Sequence, residues 1–281
     1  MTYKEALKKG RELLEKAGLE EASTDAWLLL QHRTGISRSQ YFLRERDEVQ
    51  PDQETQYFDD LARRKRHIPL QHITGVQEFM GLEFMVNEDV LIPRQDTECV
   101  VEEAVKYLQD DMKVLDMCTG SGCIVISLAD AARQKRFRNM EFTGADISEK
   151  ALRVSGFNAE KLQADVTFVQ SDLFENVTGQ FDLIVSNPPY IRTDVIEELQ
   201  DEVKLHDPYI ALDGKSDGLF FYRRMVEEAG RHLHPKGRLL FEIGFDQGKA
   251  VSGLMEKAGY TEIVVKKDLA GLDRVVSGVY N

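Results

Sequence analysis

The chain has 281 residues, 42% hydrophobic and 30% charged, so it is long enough to bury one large core or two modest ones without disulfide support. Its formal net charge of −13 disfavours a nucleic-acid partner, because phosphates are repelled by an acidic surface that has no local basic patch. The three cysteines, Cys99, Cys118 and Cys123, fit neither an even disulfide framework nor a metal-ligand spacing, which indicates reduced thiols and no metal site.

The first residues have no feature of a targeting signal. Residues 1–5 lack the basic-then-apolar order of a secretory peptide, and no apolar run of the chain is long enough to span a membrane. We therefore expect a protein of the cytoplasm that does not associate with membranes. We also expect a monomer.

Residues 1–68 have the pattern of a small all-α helical bundle. Its four helix starts are marked by capping residues or by proline: Thr2 with Glu5, Ser23, Ser37 with Gln40, and Pro51. The basic run 63–67 is either a nucleic-acid patch or a helix C-terminus whose cations complement the helix dipole, and the second interpretation is favoured. The bundle has no catalytic pattern, which indicates a role in recognition.

Residues 69–90 change period and are typical of a β-hairpin. The apolar residues after an expected bend at Gly81 alternate along the chain: Leu82, Phe84 and Val86. This hairpin would form the bridge from the bundle to a second domain over residues 91–281.

The second domain begins with a helix that Asp96 or Thr97 could cap and that runs to about Leu108. Strand and helix patterns then alternate, which is typical of βαβ units in a mostly parallel sheet of an α/β fold. The expected strands are near residues 113–117, 141–146, 166–170, 181–186, 238–243, 262–266 and 274–280. The expected helices are near residues 123–134, 148–162, 216–234 and 247–258.

The first strand of this domain leads into a tight turn and a helix start, over Cys118, Thr119, Gly120, Ser121 and Gly122. Glycines let the backbone approach a ligand closely, and the helix start presents free N–H groups. A pyrophosphate dinucleotide site would have a third glycine where Val125 stands, and a P-loop would have a Lys-Ser/Thr pair that is missing here. The turn therefore favours another nucleotide-like ligand.

Acidic residues lie at the ends of three successive strands. Asp116 suits a cationic ligand, Asp146 can accept hydrogen bonds from a ribose diol, and Asp172 can accept from an adenine amino group. Leu173 or the residue after it would pack on the adenine ring. Each acid alone is more often a helix cap or a solvated turn residue, but together they fit an adenosine that carries a positive charge. S-adenosylmethionine is that ligand.

A short apolar strand ends in Asn187-Pro188-Pro189-Tyr190. The two prolines stiffen the loop, so the Asn187 side-chain carbonyl and the Pro188 backbone carbonyl become two fixed acceptors. Two acceptors suit a planar NH2 group, whose flat face Tyr190 could cover. The alternative interpretation is an ordinary turn, which the strand before it and the glycine turn upstream disfavour.

The chain resembles the peptide chain release factor glutamine-N5 methyltransferases, a family of class I S-adenosylmethionine-dependent methyltransferases, over nearly its whole length. Beyond the acids and the Asn-Pro-Pro-Tyr loop, the resemblance rests on Ile92-Pro93-Arg94-Gln95-Asp96-Thr97-Glu98, Ala211-Leu212-Asp213-Gly214, Asp217-Gly218, Glu242-Ile243-Gly244 and Asp268-Leu269-Ala270-Gly271-Leu272-Asp273-Arg274. Family members often have glycine at Cys118 and at Lys215, and more commonly Pro-Glu at Gln95-Asp96.

The resemblance implies a Rossmann-like methyltransferase domain with a seven-stranded, mostly parallel sheet. It implies methyl transfer from S-adenosylmethionine to the side-chain amide nitrogen of the glutamine in the Gly-Gly-Gln motif of release factors. The catalytic residues would be Asn187, Pro188, Pro189 and Tyr190. The helical region would contact the release factor body.

Three other functions share parts of this pattern. An adenine-N6 methyltransferase shares the Asn-Pro-Pro-Tyr loop but would need a basic face. A glutamine methyltransferase of a ribosomal protein shares all the chemistry. A dinucleotide sensor would leave the Asn-Pro-Pro-Tyr loop without a purpose.

Overall fold

In the computed structural model, which describes residues 1–281, the chain divides into two units. The first unit contains residues 1–76 and 200–206, and the second contains residues 77–199 and 207–281. No helix of the chain combines the length and the apolar character that crossing a membrane requires.

The first unit is built from helices. They are α1 (Tyr3–Glu15), α2 (Ala22–Thr34), α3 (Arg38–Arg44), α4 (Pro51–Arg64) and α5 (Leu70–Thr74). Apolar side chains of these helices form one core, whose largest fully buried members include Tyr57, Leu14, Leu29, Leu30 and Leu61. The expected helical bundle is confirmed.

Local capping chemistry explains where two of these helices begin. Thr2 Oγ1 accepts a hydrogen bond from the Glu5 N–H while the Glu5 carboxylate accepts from the Thr2 N–H, and Ser37 and Gln40 do the same for α3. The expected cap at Ser23 is wrong. Helix α2 begins at Ala22 with Glu21 at its N-cap, so Ser23 already lies inside the first turn, where it is exposed.

The end of α4 is held by a buried ion pair. Arg64 Nε donates to Asp25 Oδ2 at 2.7 Å, and its Nη2 donates to Glu202 Oε1 at 2.5 Å. The side chains of Arg64 and Asp25 are 6% and 7% exposed. The favoured interpretation of the basic run is confirmed for its first residues, Arg63 and Arg64, which lie in the last turn of α4.

A two-stranded hairpin follows, with β1 (Val76–Phe79) and β2 (Leu82–Met85). Met80 and Gly81 between them both have positive φ angles, +51° and +74°, as a tight hairpin turn requires. The bend expected at Gly81 is therefore confirmed.

The second unit also contains a seven-stranded sheet flanked by helices. In chain order the elements after the hairpin are α6 (Gln95–Ala104), β3 (Lys113–Met117), α7 (Cys123–Lys135), β4 (Glu141–Asp146), α8 (Glu149–Leu162), β5 (Thr167–Gln170), β6 (Phe181–Ser186), α9 (Asp201–His206), α10 (Tyr209–Leu212), α11 (Phe220–Ala229), β7 (Leu233–Glu242), α12 (Gly248–Lys257), β8 (Thr261–Lys267) and β9 (Asp273–Val279). Of these, α9 belongs to the first unit. A short 3-10 helix occupies Ile196–Glu198.

The strand order is β5-β4-β3-β6-β7-β9-β8, and only β9 runs in the direction opposite to the other six strands. The expected Rossmann-like, mostly parallel sheet is confirmed. From β3 the chain moves outward to β4 and β5, then returns to lay β6 on the other side of β3. The strand order thus reverses between β3 and β6, which is where open α/β sheets bind ligands.

Successive residues of the central strands belong to different cores. Val114 and Leu183 face one apolar cluster, while Leu115 and Ile184 face another. This alternation shows that both faces of the sheet are covered, as a parallel sheet requires.

Four expected helix boundaries are wrong. Arg94, rather than Asp96 or Thr97, occupies the N-cap of α6, and the helix ends at Ala104 instead of near Leu108. Thr97 lies inside the first turn with its hydroxyl turned to other side chains. Helix α11 begins at Phe220, four residues later than expected, and ends at Ala229 instead of near residue 234, because the chain has already entered β7 at Leu233.

Replacing Arg64 by leucine should lower the free energy of unfolding of the first unit by about 3–5 kcal/mol, because it strands the buried Asp25 carboxylate without its partner. Trp27, the single tryptophan, is 4% exposed in this unit, so its fluorescence during urea unfolding measures the change. Arg66→Leu, at an exposed position two residues on, is the control and should leave the transition within about 0.5 kcal/mol. Equal transitions for the two variants would show that the ion pair does not support this unit.

Candidate active site

A cavity of about 360 Å³ lies at the carboxyl ends of the strands, where the strand order reverses. Residues expected from the sequence that line it are Cys118, Gly120, Asp146, Asp172, Leu173, Asn187 and Pro189. A volume of this size suits a small organic ligand. The structure therefore brings the ends of β3, β4, β5 and β6 together around one site.

The turn between β3 and α7 uses backbone conformations that favour glycine. Gly120 and Gly122 have φ angles of +54° and +80°. A Cβ on Gly122 would lie 2.9 Å from Ile126 Cδ1 and 3.1 Å from Ser155 Cβ, so a side chain there would force its neighbours apart. Cys118 also has a positive φ, +62°, and this position carries strain that glycine would avoid.

Three amide groups of this turn donate to acceptors within the protein. The Gly120 N–H donates to Asp146 Oδ2 at 2.9 Å, the Thr119 N–H donates to the Ala145 carbonyl at 3.0 Å, and the Gly122 N–H donates to the Thr119 carbonyl at 2.8 Å. A phosphate would need such amides free and would be repelled by the carboxylate that occupies one of them. The turn is consequently unsuited to a pyrophosphate and suited to an uncharged or cationic nucleoside.

The Asp116 side chain is hydrogen-bonded to the turn and to the helix after it. Its Oδ2 accepts from Thr119 Oγ1 at 2.6 Å and from the Val125 N–H at 3.3 Å, while Oδ1 has no hydrogen-bond partner. The side chain is fully buried, and this burial raises the pKa of its carboxyl to about 7. Asp116 does not line the cavity, and neither do Thr119, Ser121 and Gly122.

Asp146 and Asp172 do line the cavity, in different surroundings. Asp146 Oδ1 accepts from the Ser148 N–H at 2.9 Å, and burial raises the pKa of this carboxyl. Asp172 Oδ1 accepts from Arg224 Nη1 at 2.9 Å on the rim. Leu173 is 3% exposed and contributes an apolar wall beside them.

The Asn187-Pro188-Pro189-Tyr190 loop follows β6 directly. Asn187 Nδ2 donates to Thr97 Oγ1 at 3.3 Å, and the Tyr190 hydroxyl donates to Glu242 Oε1 at 3.2 Å. Asn187 and Pro189 line the cavity, whereas Pro188 is buried and the Tyr190 side chain is held among core residues. Side chains from other elements therefore hydrogen-bond to the first and last residues of this loop, Asn187 and Tyr190.

The backbone of Tyr190 is contacted by residues distant in sequence, through hydrogen bonds and close packing. Gln247 Nε2 donates to the Tyr190 carbonyl at 3.0 Å and to the Gly218 carbonyl at 3.2 Å. Gly214 packs so closely that a Cβ there would lie 2.7 Å from Tyr190 Cα and 2.8 Å from its carbonyl carbon. The Gly214 N–H also donates to the Ile191 carbonyl at 2.7 Å.

Several lining residues were not expected from the sequence: Pro208, Ile210, Lys215, Phe220, Phe221 and Arg224. They come from the segment between β6 and α11 and from α11 itself. The Asp213-Gly214 and Asp217-Gly218 pairs marked turns in this segment, but no sequence signal showed which side chains would face the cavity.

Comparisons with known proteins agree with this architecture. The family described as PrmC N-terminal domain matches residues 5–75, and the methyltransferase small domain family matches residues 97–204. The release factor glutamine methyltransferase of Geobacter sulfurreducens is 40% identical over 99% of this chain and 96% of its own, and that of Bacillus subtilis is 39% identical over 98% and 96%. A methyltransferase structure from Pyrococcus furiosus, 17% identical, covers 82% of this chain and 98% of its own with a TM-score of 0.51, which shows the fold.

Replacing Gly214 by alanine should lower the free energy of unfolding by about 1–3 kcal/mol, because the added methyl group must displace the Tyr190 backbone. Gly253→Ala is a matched control, since Gly253 lies within α12 with open space around it and alanine there should stabilise the helix slightly. Thermal unfolding followed by circular dichroism compares the two. A Gly214→Ala variant as stable as wild type would contradict the close packing.

Replacing Asp116 by asparagine should flatten the pH dependence of stability. An aspartate of ordinary pKa in the unfolded chain, about 3.9, has a native pKa of about 7 here, so the native state binds the extra proton between these values. The contribution of Asp116 is then present in full below about pH 4 and is lost as pH rises through 7. Calorimetric unfolding at pH 5 and pH 8 should show a smaller loss of stability in the variant, whereas Asp165→Asn, at an exposed site, should keep the wild-type difference.

Proposed function

The chain belongs to the release factor glutamine methyltransferase family, and from that premise we propose that it methylates N5 of the glutamine in the Gly-Gly-Gln motif of peptide chain release factors, with S-adenosylmethionine as methyl donor. The observation that carries the proposal is the position of Asn187. Its side chain lines the same cavity as Asp146, and Thr97 holds its amide nitrogen. An acceptor for the substrate nitrogen thus lies beside an acceptor for a nucleoside.

The residues of the cavity fit S-adenosylmethionine. Asp146 would accept from the ribose hydroxyls, and Asp172 with Leu173 would hold the adenine. The occupied amides of the glycine turn fit a ligand without phosphate, and the cavity volume fits a nucleoside with a short side chain. When bound, S-adenosylmethionine supplies an electrophilic methyl group on a sulfonium.

The protein contributes mainly orientation. A glutamine amide nitrogen is a weak nucleophile, because its lone pair is delocalised into the carbonyl. The Asn187 side-chain carbonyl and the Pro188 backbone carbonyl would accept its two N–H bonds, hold it still and polarise it. Orientation of this kind is worth about 7–11 kcal/mol in favourable cases. The loop that supplies both acceptors is stiffened by two prolines, and Gln247 donates a hydrogen bond to its Tyr190 carbonyl.

The first unit is the proposed docking region for the body of the release factor. Phe42 and Leu43, at the end of α3, are 70% and 86% exposed, and apolar side chains at such positions suit contact with a protein. We place the enzyme in the cytoplasm, as expected for a substrate that belongs to translation. Because one chain supplies every residue proposed for the reaction, we propose that it acts as a monomer.

The direct test is transfer of labelled methyl from S-adenosylmethionine to a purified bacterial release factor. A release factor with alanine in place of the glutamine of its Gly-Gly-Gln loop, a ribosomal protein fraction and duplex DNA serve as the comparison acceptors. Label on the intact release factor alone supports the proposal. Label on the alanine form or on DNA would overturn it.

Replacing Asn187 by alanine should lower kcat about 10- to 100-fold, because one substrate N–H loses its acceptor at a cost of about 1–3 kcal/mol.

Asp146→Ala should instead weaken S-adenosylmethionine binding, which calorimetry measures directly. Asn281→Ala, at the exposed C-terminus, is the control for both. Wild-type turnover by the Asn187 variant would remove this residue from the mechanism.

A further inference from the structure

The guanidinium of Arg224 lies on the rim of the cavity and has no role in the methyl transfer described so far. Arg224 belongs to α11 and lines the cavity. Its Nη1 donates to Asp172 Oδ1 at 2.9 Å, and the two side chains are 29% and 40% exposed. A partly exposed ion pair adds little to stability, so its significance depends on where it lies.

The Arg224 side chain is restrained by its own helix. Glu228 lies one turn later, with its Oε1 3.5 Å from Arg224 Nε, and the centroid of the Phe220 ring, one turn earlier, lies 6.0 Å from Arg224 Cζ. Residues four positions apart on a helix share a face, so the three side chains form one row along α11. The row presents Nη1 to Asp172 from a fixed direction.

The side chain of Asp172 has Arg224 as its only hydrogen-bond partner in the protein. The backbone around it is fixed, since the Glu175 N–H donates to the Asp172 carbonyl at 3.3 Å and the Asn176 N–H donates to Ser171 Oγ at 2.9 Å. A partly exposed aspartate on such a backbone can still rotate about its side-chain bonds, and fixing it when a ligand binds costs entropy. The bond from Arg224 removes that freedom in advance.

The same bond decides which carboxylate oxygen is left for a ligand. A guanidinium only donates and an ionised carboxylate only accepts, so the direction of the bond is unambiguous. Arg224 engages Oδ1, whereas Oδ2 has no donor in the protein. Oδ2 is therefore the acceptor that Asp172 offers to the cavity.

The ion pair also distinguishes Asp172 from Asp146, the second strand-end acid that lines the cavity. Asp146 accepts from the backbone N–H groups of Gly120 and Ser148, whereas the charge of Asp172 is offset by a guanidinium. The surroundings of Asp172 consequently suit a neutral group that donates hydrogen bonds, and those of Asp146 suit the rest of a cationic nucleoside.

We propose that Arg224 is a positioning residue for purine selection, which holds Asp172 Oδ2 toward the cavity as a fixed acceptor for the 6-amino group of adenine. The proposal deepens the proposed function and rests on its assignment of S-adenosylmethionine as the ligand. Without the guanidinium, the Asp172 carboxylate turns between the cavity and solvent, and part of the binding energy of the amino group is lost in ordering it.

The test is a calorimetric comparison of two ligands that differ only at position 6 of the purine. One is S-adenosylhomocysteine, and the other is its synthetic analogue with hydrogen in place of the amino group. Wild type should bind the amino ligand about 30-fold more tightly, as a hydrogen bond to a carboxylate allows. Arg224→Met, which keeps an unbranched side chain but removes the donors, should lower this ratio to about 3-fold and change the affinity for the 6-hydrogen ligand less than about 2-fold.

Arg223→Met is the matched control. Arg223 precedes Arg224 on α11 and makes a comparable ion pair with Asp217, at 2.8 Å and 3.0 Å, but it does not line the cavity. This variant should keep the wild-type ratio. A wild-type ratio in Arg224→Met as well would overturn the proposal.

A double variant tests whether Arg224 acts through Asp172. Asp172→Ala should lower the ratio at least as far as Arg224→Met does, and adding Arg224→Met to it should cause no further loss. A further loss in the double variant, or an equal weakening of both ligands by Arg224→Met alone, would show that Arg224 contacts the ligand directly and would overturn the proposed role.

These ligands have no methyl group to transfer, so the comparison does not depend on the acceptor. If wild type binds S-adenosylhomocysteine but does not methylate the release factor, the proposed acceptor is wrong, while the ratios still decide the role of Arg224. If wild type does not bind S-adenosylhomocysteine, both the proposed methyl donor and the role of Arg224 are wrong.

Discussion

The site depends on two neighbouring strands, β3 and β6, that end side by side while the chain leaves them toward opposite edges of the sheet. A crevice is unavoidable at that point, because no connection crosses above the two strand ends. The glycine turn after β3 and the Asn187 loop after β6 form its two sides. Residues some 70 positions apart in the chain thereby face one cavity.

Buried carboxyl groups define the chemistry around this crevice. Asp146 is hydrogen-bonded by the backbone N–H groups of Gly120 and Ser148, Asp116 by Thr119 and Val125, and Glu242 by the Tyr190 hydroxyl. Asp116 and Asp146 bind backbone N–H groups of the turn and its helix, and the Asp146 carboxylate disfavours a phosphate at the Gly120 amide. This combination explains how a turn that resembles nucleotide-binding loops can favour a cationic nucleoside over a dinucleotide.

Precision at Asn187 comes from residues far away in the sequence. Gln247, Gly214 and Glu242 reach the loop from three different segments and contact its backbone or its side chains. Two prolines restrict the loop internally, but they do not determine where it lies relative to the cavity. Its position depends on these contacts, so substitutions in any of the three segments would shift Asn187 relative to the bound substrate.

The amino-acid sequence alone determined the elements of this protein and the location of its chemistry. Short apolar runs, capping boxes and glycine turns are local signals, so the strands of the sheet, the capped starts of α1 and α3 and the hairpin bend could be predicted from neighbouring residues. The Asn-Pro-Pro-Tyr loop and the acids at strand ends pointed to the site for the same reason. Ser23 and Asp96 failed as caps because both lie inside the first turn of their helices, α2 beginning at Ala22 and α6 at Gln95. Only the tertiary structure revealed that Asp116 bonds Thr119 in the turn, that Arg224 pairs with Asp172 and that Glu242 bonds Tyr190, because a side chain's hydrogen-bond partners depend on packing between segments that the sequence pattern does not connect.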